Sequence, residues 1–378
     1  MKIAVIANSA WYLYNFRRNL MRALSTSGHS PIAIGPNDEY AERLRQEGYA
    51  YRPLDLSAAG TNPLHELLTL WRLRRMLIEE GIEIAFTFTP KPNIYTGLVA
   101  RGLSLTHVPN VSGLGRVFIH RNWLTPLVLR LYRLALRQSD KVIFQNEDDR
   151  EVFLRKRLVA RDKTMRVPGS GVDLARFAPA AAPAPGEPVV FLLIARMLWD
   201  KGVGEFVAAA RTLKREHPQL RFELLGSSTS TNPAAIPPDT LQGWTSEGVV
   251  THTDHVDDVR PHIARAHCVV LPSYREGLPR TLLEAAAMAR PLIATDVPGC
   301  RDTVTDGDNG FLCEVANSSS LEGAIRRFLA LSDAERADMG ARGRHRVEQQ
   351  FSEERVIDTY RALAESSAPS ATDTRVRG

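Results

Sequence analysis

Short apolar runs alternate with amphipathic stretches along almost the whole chain, and this alternation limits the fold more than any other feature of the sequence. In the first half, the runs at 2–7 (KIAVIA), 31–34, 82–88 (IEIAFTF), 141–145 (KVIFQ) and 164–168 read as strands. Helical patterns at about 15–27, 64–79, 94–102 and 122–138 separate them. The second half repeats the scheme, with strands near 188–195 (PVVFLLIA), 220–225, 268–272 (CVVLP) and 291–295 (PLIAT). Its helices are expected near 203–216, 257–266, 279–289, 319–331 and 333–350. A strand that is apolar throughout is buried on both faces, and strands separated by helices pair in parallel. The fold class is therefore α/β, with two doubly wound parallel sheets facing across a cleft at the carboxyl ends of their strands, where ligands bind.

At 378 residues the chain is too long for one typical core. The stretch APAAAPAPGEP (178–188) is too rich in proline and alanine for regular structure and marks a join. The expected organisation is a first domain at 1–170, a linker at 171–188 and a second domain at 189–350. A helix at 351–366 (FSEERVIDTYRALAES) is a candidate to return to the first domain, and 367–378 reads as a polar, disordered tail. With 44% hydrophobic and 24% charged residues, the composition excludes fibrous and broadly disordered classes. Cys268, Cys300 and Cys313 are odd in number and lack metal-ligand spacing, which fits buried thiols in a reducing cytosol. MKIAVIANSA reads as a buried strand and not a signal peptide, and no run approaches the ~20 apolar residues that cross a bilayer. The expectation is a cytoplasmic protein, soluble or peripheral on the membrane.

Two segments carry chemistry. In EGLPRTLLE (276–284), Glu276 and Glu284 would lie about 80° apart on one helix, a poor pair for a single face. Pro279 favours a first helical turn, which leaves Glu276 and Gly277 in the preceding loop and Glu284 one to two turns in. A helix start after a strand suits a diphosphate. The carboxylates would repel that anion and are better suited to neutral sugar or ribose hydroxyls. In ARMLWDKG (195–202), Arg196 and Lys201 follow the strongest strand of the second half, where two cations could neutralise a diphosphate. Taken singly, each segment also fits a plain β–α turn with solvated charges.

Together these segments resemble the family-4 glycosyltransferases, retaining enzymes of the GT-B fold, two Rossmann-like domains, that use nucleotide-sugar donors. Glu276 and Glu284 match the family's Glu-x7-Glu element, followed by AAAMARPLIATDVPG (285–299); Arg196, Lys201 and Gly202 match its R-x4-K-G element. GVDLARF (171–177) and DGDNGFLC (306–313) resemble two further elements in the family's order. The resemblance implies that Glu284 binds ribose hydroxyls, Glu276 binds the transferred sugar, and Arg196 and Lys201 stabilise the departing diphosphate. It implies that Gly277, Leu278 and Pro279 help to orient the donor. No cofactor and no metal are expected, the nucleotide sugar being a substrate. TPKPNIYTG (89–97) with the VSGLG run resembles the branch that builds bacterial surface polysaccharides and lipid-linked oligosaccharides. The implied reaction moves a hexose or N-acetylhexosamine from a UDP-linked donor, held by the back domain, to a polyprenyl-diphosphate-linked saccharide on the front domain.

Other candidates are weaker. Gly113 and Gly115 in PNVSGLGRVF (109–118) fit either close approach to a donor or an ordinary glycine turn, and His107 and His120 receive no role. Asp306-Gly307-Asp308 reads as a polar turn, and His252, Asp254 and His255 as a loop that could touch the nucleotide base. Residues 1–170 hold 25 Lys+Arg against 15 Asp+Glu, and the rest holds 23 against 28. Arg130, Arg133 and Arg137 on one helical face, with leucines opposite, and Arg17, Arg18 and Arg22 beside Trp11, Tyr12, Tyr14 and Phe16 suggest contact with an anionic membrane. A nucleotide-sugar epimerase or hydrolase of the same fold is the alternative enzyme. A basic nucleic-acid-binding protein is disfavoured, because no recognised motif accompanies the charge.

Overall fold

A computed structural model describes residues 1–56, 63–114, 125–184, 186–229 and 232–367. Gly115, His120, residues 122–124 of the expected helix and the tail beyond 367 lie outside the described residues. The chain divides into two compact units, residues 1–170 with the chain from 354 onward, and residues 171–353.

The first unit is built on strands β1 (Lys2–Ile6), β2 (Ser30–Gly35), β3 (Ala50–Pro53), β4 (Ile84–Phe88), β5 (Thr106–Val111), β6 (Val142–Phe144) and β7 (Thr164–Arg166). They pair in parallel in the order β3-β2-β1-β4-β5-β6-β7. The helices are α1 (Ala10–Thr26), α2 (Glu39–Gln46), α3 (Pro63–Glu79), α4 (Pro90–Val99), α5 (Thr125–Leu136) and α6 (Glu147–Arg155). Leu13, Leu20 and Leu24 of α1 and Tyr40 and Leu44 of α2 share one core layer. Leu73 and Leu77 of α3, Ile94 of α4, Leu136 of α5 and Phe153 of α6 share the other.

The second unit holds β8 (Val190–Ile194), β9 (Arg221–Leu225), β10 (Thr251–Thr253), β11 (Cys268–Leu271), β12 (Leu292–Thr295) and β13 (Gly310–Cys313), parallel in the order β10-β9-β8-β11-β12-β13. Its helices are α7 (Val203–Glu216), α8 (Pro238–Ser246), α9 (Arg260–Arg265), α10 (Arg280–Ala287), α11 (Cys300–Thr303), α12 (Ser318–Leu329) and α13 (Asp333–Gln350). All three cysteines are free and buried. The final helix, α14 (Glu353–Ser366), sets Val356, Tyr360 and Ala364 into the core of the first unit, where Tyr360 packs edge to face with Phe86 and tilted against Phe88.

One expectation needs correction. The basic cluster on α1 is not a solvent face. The helix starts at Ala10, capped by the Ser9 hydroxyl, and its buried stripe of Ala10, Leu13, Arg17, Leu20, Met21 and Leu24 carries Arg17 inward. The Arg17 guanidinium lies 4.0 Å from the centre of the Phe88 ring and donates to the Tyr12 hydroxyl (3.1 Å). Arg18 is paired with Glu47 (2.9 Å), which leaves Arg22 alone of the three exposed. Of the 171–188 segment, expected as a linker, residues up to Ala181 pack against the second unit. Val172 and Phe177 are buried there, and the buried Arg290 donates to the Ala180 and Ala181 carbonyls. The closely spaced prolines disfavour helix and strand, but the segment keeps carbonyls that a guanidinium can collect.

A polar chain crosses the core of the first unit. His107 on β5 is fully buried between the Thr87 hydroxyl (3.0 Å) and the Ser139 hydroxyl (3.1 Å). Thr87 donates to Asn93, Asn93 donates to the Asn110 carbonyl, and the Asn110 amide donates to the Tyr360 hydroxyl (2.7 Å). Since the Thr87 proton goes to Asn93, the network assigns the His107 proton to Nε2. Burial pushes the His107 pKa down to about 3, from an ordinary value of 6.5. The unfolded chain therefore binds the extra proton first as pH falls. The contribution is full above pH 6.5 and is lost progressively toward pH 3. In urea unfolding compared at neutral and mildly acidic pH, His107→Gln should lose less stability on acidification than the wild type. Equal losses in both proteins would remove His107 as the cause.

Candidate active site

β8 and β11 are neighbours in the second sheet, yet the helices that follow them pack in different core layers. Val203, Phe206 and Val207 of α7 belong to one layer, and Leu282 and Leu283 of α10 to the other. At such a switch in strand order the two connecting loops diverge and leave a crevice beyond the strand ends. Lys201 comes from the loop after β8 and Glu276 from the loop after β11. They meet as an ion pair, Nζ to Oε1 2.5 Å, with side chains 20% and 15% exposed.

Close backbone packing fixes both loops. Gly202, between Lys201 and α7, has φ +72°, and a Cβ there would lie 2.0 Å from the Pro272 carbonyl oxygen. Only glycine satisfies both demands. The Asp200 carbonyl accepts from the Tyr274 N–H (2.9 Å) and the Ser273 hydroxyl (3.2 Å), and the Thr295 hydroxyl donates to the Ser273 carbonyl. These bonds join the ends of β8, β11 and β12. The Glu276 N–H donates to the Pro298 carbonyl (3.3 Å). Gly299, at φ +83°, backs the same loop, and a Cβ on it would stand 2.7 Å from the carbonyl oxygens of both Glu276 and Gly277.

Pro279 is the cap of α10, and Leu278 packs against the core. Glu284 lies in the second turn of α10, buried, with Arg280 Nε 2.8 Å from its Oε1. Burial pushes the Glu284 carboxyl above the ordinary carboxylate range, and the Arg280 guanidinium pulls it part of the way back. The two glutamates thus occupy different settings: Glu276 in a loop against a lysine, Glu284 in a buried helical turn against an arginine. Arg196 stands exposed just beyond β8. Of the residues singled out in the sequence, the structure joins Lys201 to Glu276, and it gives Glu284 a partner that was not anticipated.

Elsewhere the candidates separate. Gly113, two residues past β5, has φ +137°. In the first unit the corresponding helix start, that of α1, is occupied by Asp38, which accepts from the Ala10 (2.9 Å) and Trp11 (3.3 Å) N–H groups. Asp306 is held by Arg327 and Asp308 by Arg342. His252 Nε2 is 2.9 Å from the Gly226 carbonyl, next to β9. Sequence reading missed Arg280 and Gly299. The i,i+4 spacing of Arg280 and Glu284 was a usable signal. Gly299 closes the run AAAMARPLIATDVPG (285–299), but nothing in a sequence reveals which carbonyls a glycine faces.

Comparison with known proteins places these elements in a family. Residues 15–169 match the Glycosyl transferase 4-like domain and residues 188–331 the Glycosyl transferases group 1 family. An N,N'-diacetylbacillosaminyl-diphospho-undecaprenol alpha-1,3-N-acetylgalactosaminyltransferase from Campylobacter jejuni is 26% identical over 345 residues, 87% of this chain and 89% of that protein. The capsular polysaccharide biosynthesis glycosyltransferase CapM of Staphylococcus aureus is 27% identical over 170 residues, 45% of this chain and 44% of its own. The structure of Anabaena HepE in complex with UDP and glucose superposes with a TM-score of 0.79 at 16% identity, covering 97% of this chain and 100% of that one. The fold is GT-B.

Gly299→Ala should cost the second unit roughly 1–2 kcal/mol from the left-handed backbone alone, and more from the carbonyl contacts. It should also displace Glu276 from Lys201. Urea unfolding and a crystal structure of the variant test both, and an unchanged midpoint with an intact ion pair would contradict the role given to Gly299.

Proposed function

This chain is a member of the family-4, group 1 glycosyltransferases, and from that premise we propose a specific reaction. It transfers a hexose or N-acetylhexosamine from a UDP-linked donor, with retention at the anomeric carbon, to a lipid-linked saccharide in bacterial polysaccharide assembly. The second unit takes the nucleotide sugar and the first takes the acceptor. The observation that carries this reading is the Lys201–Glu276 pair at the switch between β8 and β11. When the bond between the anomeric carbon and the diphosphate breaks, its electron pair stays on the diphosphate. Lys201, joined by Arg196, meets that growing charge in fixed position, and stabilisation that increases as charge develops lowers the barrier. Glu276, released by Lys201 to the diphosphate, accepts hydrogen bonds from the sugar, and Glu284 accepts them from the ribose. The two cations take the part that a divalent metal would otherwise play.

The relatives support the substrate classes. The Campylobacter protein is named for transfer of N-acetylgalactosamine to a diphospho-undecaprenol-linked sugar, the Staphylococcus protein for capsular polysaccharide biosynthesis, and the Anabaena structure contains UDP and glucose. Among the described residues no helix is long and apolar enough to cross a membrane. A lipid-linked acceptor is then reached by a peripheral protein on the cytoplasmic face, with the first unit against the anionic leaflet.

Lys201→Ala and Glu276→Ala should each lower kcat by about 10²–10³, with the circular dichroism spectrum unchanged. The assay is release of UDP from UDP-N-acetylhexosamine in the presence of a short-chain polyprenyl-diphosphate saccharide, with the product anomer read by NMR. Release should need acceptor and should persist in EDTA; wild-type turnover in both variants would end the mechanism.

Glu284 makes a separate prediction. Only its ionised form accepts two ribose hydrogen bonds, and burial raises its pKa above the ordinary 4.5. UDP affinity of the wild type should therefore start to fall, as pH drops, at a higher pH than an ordinary glutamate would impose. Titration calorimetry on Glu284→Gln should give weaker binding without that pH dependence. A parallel pH profile in both proteins would exclude Glu284 as the group responsible.

A further inference from the structure

β1 and β4 are neighbours in the first sheet, and the helices that follow them pack in different layers, Leu13 and Leu20 of α1 in one and Ile94 of α4 in the other. The carboxyl ends of these two strands therefore open a crevice, as those of β8 and β11 do in the second unit. The chain leaves β4 through a single residue. Thr89 follows Phe88 directly, and Pro90 already starts α4. This turn sets Thr89 at φ +72°, ψ 156°, a combination that sterics leave almost wholly to glycine. For a β-branched residue it is a pronounced outlier. The hydroxyl does not offset the strain: it caps no N–H of α4, and its oxygen is buried without a partner among the described residues. Strain of this kind persists only where the surrounding structure imposes it, and it gathers at ligand sites.

What the turn delivers is Lys91. Its Nζ lies 2.8 Å from Oε1 of Glu66, in the first turn of α3, with the two side chains 22% and 19% exposed. The Tyr95 hydroxyl, about one turn further along α4, donates to Glu66 Oε2. α3 follows the carboxyl end of β3 and α4 that of β4, so the cluster stands on the side of the sheet where the crevice opens. Desolvation offsets most of the attraction in an ion pair this far from water, which makes the pair a poor scaffold. Burial pushes the Glu66 carboxyl up, but the bonds from Lys91 and Tyr95 outweigh it and hold the group below its ordinary range. At neutral pH Glu66 is therefore an anion fixed at both oxygens. A carboxylate offers about four acceptor sites, and these two bonds leave about half of them for donors from outside.

Such a group selects by charge and shape. The carboxylate repels anions, and Lys91 beside it repels cations. Neutral donors remain, and neighbouring ring hydroxyls of a sugar can reach both oxygens at once.

We propose that Glu66 is the acceptor-recognising carboxylate of the first unit, taking hydrogen bonds from two neighbouring hydroxyls of the acceptor's sugar. Lys91 and Tyr95 fix its oxygens, and the strained turn at Thr89 positions Lys91. The inference rests on the proposal that the first unit takes a saccharide acceptor, and it names the group that selects the sugar.

The test combines variants with altered acceptors. The probes are N-acetylglucosamine and N-acetylgalactosamine linked to farnesyl diphosphate, and monodeoxy analogues that each lack one ring hydroxyl, with a UDP-N-acetylhexosamine donor. In the wild type, removing either of two neighbouring hydroxyls should lower kcat/KM by about 10–100-fold, as expected for hydrogen bonds to a charged group. In Glu66→Ala the same removal should change it by no more than about twofold. Glu66→Gln, which keeps the size of the side chain, should unfold in urea as the wild type does and raise the acceptor KM at unchanged donor KM. Thr89→Gly, which adopts the same backbone without strain, should raise the urea midpoint and yet raise the acceptor KM. Equal discrimination in the wild type and Glu66→Ala, a loss confined to donor KM, or an unchanged acceptor KM in Thr89→Gly would overturn the inference. A uniform loss on every acceptor would overturn it too, as the mark of a mere clamp between α3 and α4. Absence of transfer to every probe in the wild type would instead overturn the glycosyltransferase reaction. Calorimetric binding of the same probes then decides the inference by itself: hydroxyl-dependent affinity that Glu66→Ala lacks supports it, and equal affinities overturn it.

Discussion

The parallel pairing of β8 with β11 is the constraint on which the candidate site depends. Because α7 and α10 pack in different layers, the loops after these strands part, and each is free to aim one side chain into the gap. Lys201 and Glu276 fill it. A pair so largely removed from water is not by itself a source of stability, since desolvating two charges offsets most of their attraction. Its retention at the crevice therefore fits function better than scaffolding. The scaffolding is done by uncharged contacts: Gly202 against Pro272, Gly299 against the Glu276 loop, and the Asp200 carbonyl holding Ser273 and Tyr274.

Much of this was legible in the sequence, and the reason is physical. A strand buried on both faces must be apolar at consecutive positions, so KIAVIA, IEIAFTF and PVVFLLIA announce central strands. Edge strands carry no such demand. AYRP (β3) and THT (β10) are short and partly polar, and nothing in their residues marks them. The helices EYAERLRQ (α2) and EDDREVFLR (α6) are charged over most of their surface, which hides the apolar stripe, although Asp38 and Asn146 supply the caps. The Glu-x7-Glu and R-x4-K-G spacings locate the site, because loops at strand ends are set by local chain geometry. That Lys201 and Glu276 touch depends on which strands are neighbours, and sheet order is not written in either segment.

Arg17 and α3 show the opposite failure, in which polarity misleads. An arginine at a helical position reads as solvent-facing, yet Arg17 is on the inward stripe, its charge placed against the faces of Tyr12, Phe88 and Tyr360. α3 reads as an ordinary amphipathic helix over 64–79. Its apolar residues in fact divide between a buried stripe and an exposed one, and composition alone cannot show that division.

The two units share the strand order 3-2-1-4-5-6, so their switch points are topologically equivalent, and their chemistry differs there. In the first unit Asp38 places a carboxylate on the start of α1, and Arg17 is enclosed by aromatic rings. An incoming diphosphate would have to displace a carboxylate that is already hydrogen-bonded. In the second unit the loop before α7 presents Lys201, paired to a single carboxylate that a sugar hydroxyl can occupy in its place, with Arg196 exposed beyond the same strand. In the reaction proposed above, one exchange would serve two ends: the lysine would turn to the diphosphate as Glu276 turns to the sugar. With Asp38 on the start of α1, the first unit's crevice is less suited to a diphosphate, which is the physical basis for the proposal that it takes the acceptor.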